Sequence, residues 1–256
     1  MVKLSIIIPA HNEENRIKKT LQEYIKFFNS KLKNNYEILI IPNGCTDNTV
    51  KIIKDLSKKY KTIKYKELIK GDKGLALITG FKLVNSDLIG FIDADNSTNA
   101  EEFYKLVKNI NNYDCVIASR WMKNSVVNIK QPILRIVAGR VFNFLVKSLL
   151  GLMYHDTQCG AKLFKRQAIK KIYQNLGITK YAFDIDLLYL LKLNGYKIKE
   201  IPIKWSDTLG STLNVPKASF EMFLAIIRLR LIYSKLNFIV KAYDLLPERI
   251  KIHHRL

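Results

Sequence analysis

The sequence predicts an α/β fold, a mostly parallel sheet with crossover helices, to which basic amphipathic helices are added. Three observations predict it. In the first 118 of 256 residues, short β-branched runs alternate with stretches of helical period. Successive runs end in turns rich in glycine and polar side chains. Beyond Ser119 the texture changes to long apolar stretches studded with arginine and lysine.

Strands are read at Leu4 to Ile8, Glu37 to Ile41, Ile63 to Lys66, Leu88 to Ile92 and Cys115 to Ala118, where β-branched and large apolar residues cluster. Between the first two, Ile17, Leu21, Tyr24, Phe28 and Leu32 recur every three or four residues, which predicts an amphipathic helix. Asn12, Glu13 and Glu14 supply its expected cap and first-turn acids. A second helix is expected from a cap at Thr46 or Asp47 through Tyr60, and two more over Gly74 to Val84 and Ala100 to Asn111. From Ser119 to Leu149 there are six basic residues (Arg120, Lys123, Lys130, Arg135, Arg140, Lys147) and no acidic one, which reads as a basic amphipathic helix beginning near Pro132. Phe220 to Val240 repeats that mixture. Such helices either rest on an anionic membrane surface or pack on the sheet or a second subunit.

Lysine and arginine total 43 against 22 acidic residues, so the net charge of +21 predicts an anionic partner: nucleic acid, a phosphorylated ligand or an acidic membrane. Several classes are excluded by what is missing. Cys45, Cys115 and Cys159 are far apart and lack metal or disulfide spacing, which fits a reducing cytoplasm. The N-terminal apolar run is too short for a signal peptide. Lys147, Arg228, Arg230 and Lys235 interrupt the longest apolar stretches, so a cytoplasmic, soluble or peripheral protein is expected. Neither GxGxxG after a strand nor a P-loop occurs, and no nucleic-acid-binding signature accompanies the charge.

Chemistry concentrates at the strand ends. Asp93-Ala94-Asp95-Asn96 directly follows the apolar run Leu88 to Ile92, at the carboxyl end of a strand, where open α/β sheets bind ligands. Two carboxylates there are hard oxygen donors suited to Mg²⁺ or Mn²⁺ holding a diphosphate. Pro9 to Glu14, Pro42 to Thr49 and Lys70 to Gly74 end or follow other strands with polar side chains and helix-starting N–H groups, the surroundings that a nucleotide base, ribose and phosphates require.

Ile6-Ile7-Ile8-Pro9-Ala10-His11-Asn12-Glu13, Asn43-Gly44-Cys45-Thr46-Asp47-Asn48-Thr49, Lys73-Gly74 and Asp93-Ala94-Asp95 together resemble the ordered motifs of glycosyltransferase family 2, enzymes of the Rossmann-like GT-A fold. Ser119-Arg120, the run Asp156 to Phe164 and Phe183-Asp184-Ile185-Asp186 resemble its polyprenyl-phosphate branch, the dolichyl-phosphate glucose and mannose synthases, with Asp156 to Gly160 leaning toward glucose. The resemblance spans roughly Leu4 to Trp205. It implies a catalytic domain over 1–205, with an interfacial helix at about 132–154, and a basic helical extension over 206–256.

The implied reaction is inverting transfer of a hexose from UDP-glucose, or next GDP-mannose, to a polyprenyl or dolichyl phosphate. The resemblance places Pro9, Ala10, Asn12, Glu13, Asn43, Asp47, Lys73 and Asp93 at the nucleotide, and Asp93 with Asp95 at the metal. It implies Asp95, Arg120, Asp184 and Asp186 as catalytic candidates. Arg120, Asp156, Gln158, Arg135, Arg140 and Arg228 are candidates for the acceptor phosphate and lipid. Two departures stand out. Asn43 occupies a position where the family usually has aspartate, which leaves the base open. Gly210-Ser211-Thr212 lacks the lysine that glucose-synthase-like members carry, so another cation, Arg228 or Lys217, would have to replace it. A family member acting on a saccharide hydroxyl, a catalytically inactive nucleotide-sugar binder and a basic nucleic-acid binder are the competing readings.

Overall fold

The β-branched runs do form the strands expected of them, and they stack into one sheet whose two faces carry separate apolar cores. The computed structural model describes residues 3–128, 133–177, 182–206 and 215–245, with the side chains at 134, 135, 215–219 and 241 outside that description. The expectations for the Arg135 and Lys217 side chains and for residues 210–212 therefore lie outside the described residues.

The elements run β1 (Leu4–Ala10), α1 (Ile17–Leu32), β2 (Tyr36–Pro42), α2 (Thr49–Lys59), β3 (Ile63–Tyr65), α3 (Lys73–Leu83), β4 (Leu88–Phe91), α4 (Ala100–Asn109) and β5 (Cys115–Ser119). Then follow β6 (Val126–Val127), α5 (Ile133–Leu150), β7 (Lys162–Lys165), α6 (Arg166–Ile172), α7 (Phe183–Leu193), β8 (Ile198–Pro202), β9 (Lys204–Trp205), α8 (Val215–Ile232) and α9 (Asn237–Asp244). The main sheet has the order β3-β2-β1-β4-β7-β5-β8, and β6 pairs with β9 separately. Strands β3, β2, β1 and β4 are mutually parallel, so their carboxyl ends share one edge. β7 runs antiparallel between β4 and β5, setting Phe91 opposite Lys162 and Gly90 opposite Leu163. A Cβ on Gly90 would come within 2.8 Å of Lys162 O, so the glycine lets β7 approach.

Along β1, Ile7 enters one core and Ile6 and Ile8 the other, the period-two alternation of a strand covered on both faces. One core joins Phe81, Phe91 and Phe164 to Phe142, Val146 and Leu150 of α5, Leu187 of α7, and Ile226 and Leu229 of α8. The other packs Tyr24 and Phe28 of α1 against Phe103 of α4. Full burial of such side chains contributes about 1.5–3 kcal/mol each. Among the described residues, no helix is long and apolar enough to cross a membrane.

The expected capping of α1 is corrected. α1 begins at Ile17 with Arg16 at the cap position and no side-chain cap bond, whereas Asn12 lies four residues upstream in the left-handed region at φ 54°. Asn12 Oδ1 and the backbone N–H groups of Glu13 and Glu14 turn to the neighbouring loop instead, while Glu13 Oε2 pairs with Arg16 at 2.7 Å.

Candidate active site

That neighbouring loop explains the polar strand ends. Asn12 Oδ1 accepts from Thr46 N at 2.8 Å, Glu13 N donates to Thr49 Oγ1 at 2.7 Å, and Glu14 N donates to Asp47 Oδ2 at 3.1 Å. Burial raises the Asp47 pKa, but the donors from Thr49 and Glu14 outweigh it and hold the carboxyl below its ordinary value. Glu13 is shifted the other way: burial raises its pKa against the opposing pull of Arg16, with Asp95 and Asp93 adding to the rise. Pro9 and Ala10 end β1 in buried positions behind these loops.

Asn43, the departure from the family's aspartate, is 3% exposed and wholly engaged. Its Nδ2 donates to Ala10 O at 3.0 Å and to Ile41 O at 3.1 Å, while its Oδ1 accepts from Asp72 N at 3.1 Å. The amide thus ties β1, β2 and the loop before α3 together. A carboxylate there has no hydrogen to give to either carbonyl.

The centre of the site lies where β4 ends. Lys73, the first residue of α3, places Nζ 2.6 Å from Asp93 Oδ1, with both side chains partly exposed. Burial opposes the charge on Lys73, yet Asp93, helped by Asp184 and Asp95, holds the ammonium above the ordinary lysine value. Burial raises the Asp93 carboxyl despite Lys73, and Asp95 and Asp184 push the same way. Lys73, Asp93, Asp95, Asp184 and Glu13 therefore lie within one electrostatic neighbourhood. Asp95 Oδ1 accepts from Ser97 N at 2.9 Å, which orients it. Gly160 abuts Asp93 so closely that a Cβ there would sit 1.9 Å from Oδ2. The run from Asp156 to Phe164 therefore touches the Asp93 loop directly.

Arg120, just past β5, is committed to Asp156. Its Nε donates to Oδ2 at 2.6 Å, its Nη2 to Oδ1 at 2.9 Å, and its backbone N to Oδ2 at 3.0 Å. The pair is nearly buried, and the guanidinium also lies over the Trp205 ring at 5.3 Å. Burial raises the Asp156 pKa, but Arg120 more than reverses it. Two of the five guanidinium N–H groups go to Asp156. Gln158 N donates to Asp156 Oδ1 at 3.2 Å, and Glu200 Oε1 accepts from Asp156 N at 2.7 Å. Burial pushes the Cys159 thiol up to about 12, as befits a packing residue.

The two aspartates of α7 part company. Asp184 pairs at 2.5 Å with Lys162, a lysine of zero exposure whose Nζ also donates to Cys159 O at 2.7 Å. Asp186 is not brought to the cluster: it accepts from Gly177 N at 2.8 Å and from Tyr233 Oη at 2.9 Å, anchoring α8. Arg140 and Arg228 contact other groups, although Arg140 shares the Trp121 ring with Arg120, whose guanidinium lies 5.9 Å from it. Arg140 is exposed and stacks over Trp121 at 4.5 Å, and Arg228 pairs with Asp244 at 2.8 Å. The sequence reading missed Lys162, Gly160 and Glu200. Lys162 had a signal, a lysine between the apolar pairs Gly160-Ala161 and Leu163-Phe164.

Asp93 and Asp95 offer the hard oxygens a divalent cation prefers. Among the described residues no group of three acidic, histidine or cysteine side chains could enclose one. Ser97 Oγ and Asn96 Oδ1, in the same loop, are buried with no hydrogen-bond partner. These residues fit a Mg²⁺ or Mn²⁺ ion that takes its remaining ligands from a diphosphate and water, the usual habit of Mg²⁺.

The chain is similar to known proteins. Residues 5–173 match the family model described as Glycosyl transferase family 2. A dolichyl-phosphate beta-glucosyltransferase of Dictyostelium discoideum is 32% identical over 248 residues, covering 91% of this chain and 75% of that one. Its namesake in Saccharomyces cerevisiae is 31% identical, covering 90% and 75%. Among solved structures, glucosyl-3-phosphoglycerate synthase from Mycobacterium tuberculosis, in complex with Mn²⁺, UDP and glucosyl-3-phosphoglycerate, aligns with a TM-score of 0.63 at 16% identity, over 90% of this chain and 78% of that one. The fold is GT-A, as the motif order predicts.

Proposed function

The chain belongs to glycosyl transferase family 2, and from that premise we propose that it moves glucose from UDP-glucose to dolichyl or polyprenyl phosphate, with inversion, at a membrane surface. The observation that carries this reading is the contact of Gly160 with Asp93, which joins the acceptor-side run Asp156 to Phe164 to the donor-side carboxylates. The names of the relatives supply the sugar and the lipid.

In this reading the base and ribose lie along the loops at 11–14 and 43–49, and the diphosphate faces Lys73, Asp93 and Asp95. A bound Mg²⁺ or Mn²⁺, held by Asp95 and Asp93, would neutralise charge developing on the departing diphosphate. Lys73 adds a second cation on that side, poised between Asp93 and the substrate. The acceptor is a phosphate monoester, already largely ionised near neutral pH, so no side chain has to remove a proton from it. Acceleration then comes from positioning and charge. Arg120 meets the acceptor phosphate with its remaining N–H groups, while Asp156 fixes its plane. Asp184, neutralised by Lys162, faces the same cluster.

The lipid reaches the site from a surface on which the protein sits peripherally, on the cytoplasmic side. Ile133, Val137, Val141 and Phe144 of α5 are exposed at spacings of four, four and three residues, one face of a helix. The opposite face buries Phe142, Val146 and Leu150 in the core. Phe220, Phe223 and Ile227 of α8 form a second exposed apolar row, and Arg140 and Arg230 are exposed beside these rows. Apolar area and positive charge reinforce one another on anionic lipid.

The test is transfer of labelled sugar from UDP- and GDP-hexoses to dolichyl phosphate in detergent, with Mg²⁺, Mn²⁺ or EDTA. A metal-dependent, mild-acid-labile lipid product from UDP-glucose is expected. Transfer to free saccharides without any lipid product would overturn the acceptor assignment.

A further inference from the structure

The segment bearing Asp93 and Asp95 leaves β4 at Ile92 and has no regular structure until α4 begins at Ala100. Asn96 within it stands in the left-handed region at φ 61°, which asparagine tolerates better than most residues. Several backbone groups of this segment find their partners on side chains of α1. Thr20 Oγ1 donates to Ala94 O at 2.8 Å, the carbonyl between the two aspartates. Tyr24 Oη donates to Thr98 O at 2.8 Å. Glu23 lies beside them, accepting from Asn96 Nδ2 at 2.7 Å and from Ala100 N at 3.3 Å. Positions 20, 23 and 24 lie on one face of a helix, three and four residues apart. Thr20 and Tyr24 are completely buried, and burial, with Glu23 and Asp95 nearby, raises the Tyr24 hydroxyl well above its ordinary pKa, so it stays a donor. The helix also buries Leu21, Ile25 and Phe28, which fixes its own position against the sheet.

We propose that α1 is a clamp for the donor site, with Thr20, Glu23 and Tyr24 as positioning residues that fix the backbone from Ala94 to Ala100 and thereby the direction in which Asp93 and Asp95 point. None of the three reaches the carboxylates through a hydrogen bond of its own; they act through the peptide groups on either side. The inference rests on reading Asp93 and Asp95 as the donor-site carboxylates. A site held this way depends on a packed, hydrogen-bonded shell because misplacing reacting groups by about 1 Å can cost on the order of 100-fold in rate.

The structure also supplies a matched control. Tyr36 is as buried as Tyr24 and its Oη also bonds α1, to Asn29 Oδ1 at 2.8 Å and Ile25 O at 3.3 Å, but toward the end of the helix remote from the Asp93 segment. The experiment compares Thr20→Val, Thr20→Ser, Tyr24→Phe, Tyr36→Phe and Asp95→Asn for melting temperature and for kcat/KM with UDP-glucose and dolichyl phosphate, corrected for folded fraction. Both phenylalanine variants should melt lower than wild type. Only Tyr24→Phe, together with Thr20→Val, should lose about tenfold or more in kcat/KM, while Thr20→Ser restores it to within about twofold. If Tyr24→Phe and Thr20→Val turn over no worse than Tyr36→Phe while Asp95→Asn is inactive, the clamp is overturned and the donor-site reading stands. If Asp95→Asn itself turns over normally, the donor-site reading fails and the clamp fails with it.

Discussion

Replacing Gly160 with alanine adds one methyl group at the point where the acceptor-side run meets Asp93. The new Cβ would lie 1.9 Å from Asp93 Oδ2 and 2.4 Å from Cγ. For an ordinary contact the carboxylate must retreat by about 1.5 Å, which carries Oδ1 out of its 2.6 Å pairing with Lys73. A displacement of that size at a reacting diphosphate should cost about 100-fold in kcat/KM, equivalent to roughly 2.7 kcal/mol of transition-state stabilisation. Stability should hardly move. Gly160 is not among the glycines with positive φ, so alanine is compatible with its backbone and gains about 0.4–1 kcal/mol through the unfolded chain. That offsets the loss of a partly exposed ion pair, which contributes about 0–1 kcal/mol. The assay pairs turnover with UDP-glucose and dolichyl phosphate with a thermal melt, and Gly139→Ala serves as control because nothing lies within 4 Å of a Cβ there. Activity within about threefold of wild type in a folded Gly160→Ala protein would refute the view that Asp93 must stand where it does.

Other substitutions probe the groups around this centre. Asn43→Asp removes both amide donors and faces Ala10 O and Ile41 O with a carboxylate, so urea denaturation should show a loss of about 2–3 kcal/mol. Asp156→Asn strips the partner from a nearly buried Arg120 and should destabilise by about 3 kcal/mol or more near neutral pH. Because the Asp156 pKa is depressed in the folded protein, that stabilisation is complete above the ordinary value of 3.8 and is lost as pH falls through the lower folded value. The gap between wild type and variant should be constant from about pH 5 to 7 and close in stronger acid. Lys162→Met leaves Asp184 buried without its cation and should cost about 3–5 kcal/mol; adding Asp184→Asn should recover part of it, and strict additivity of the two would refute the pairing.

The half of the fold that depends on local pattern was legible. β-branched runs marked β1 to β5 to within two residues at each end; β1 and β5, buried along their whole length, are apolar almost throughout, whereas the edge strand β3 is short and half exposed. β7 escaped notice for the opposite reason. Its four residues begin and end with lysine, and it is a strand only because Gly90 and the flanks of β4 and β5 leave a slot for it, a pairing of residues about seventy positions apart that no local window contains. The helix at α5 was readable from its amphipathic period, whereas the placing of its neighbour α8 depends on tertiary partners such as Asp186 and Tyr233.

The site shows how the meaning of a spacing depends on the backbone that carries it. Asp93 and Asp95 are two residues apart just past a strand, and both remain within reach of Lys73. Asp184 and Asp186 have the same spacing but sit in the first turn of α7. On a helix, residues two apart point about 200° from each other, so both could not face one cleft. One had to turn inward to Lys162 and the other away to Gly177 and Tyr233. Choosing between them required Lys162, whose own position required β7, the strand that the sequence pattern does not show. On the proposed reading, the loops at the strand ends and the pair Arg120 and Asp156 were named from motifs, whereas the separate fates of Asp184 and Asp186 follow only from a non-local strand.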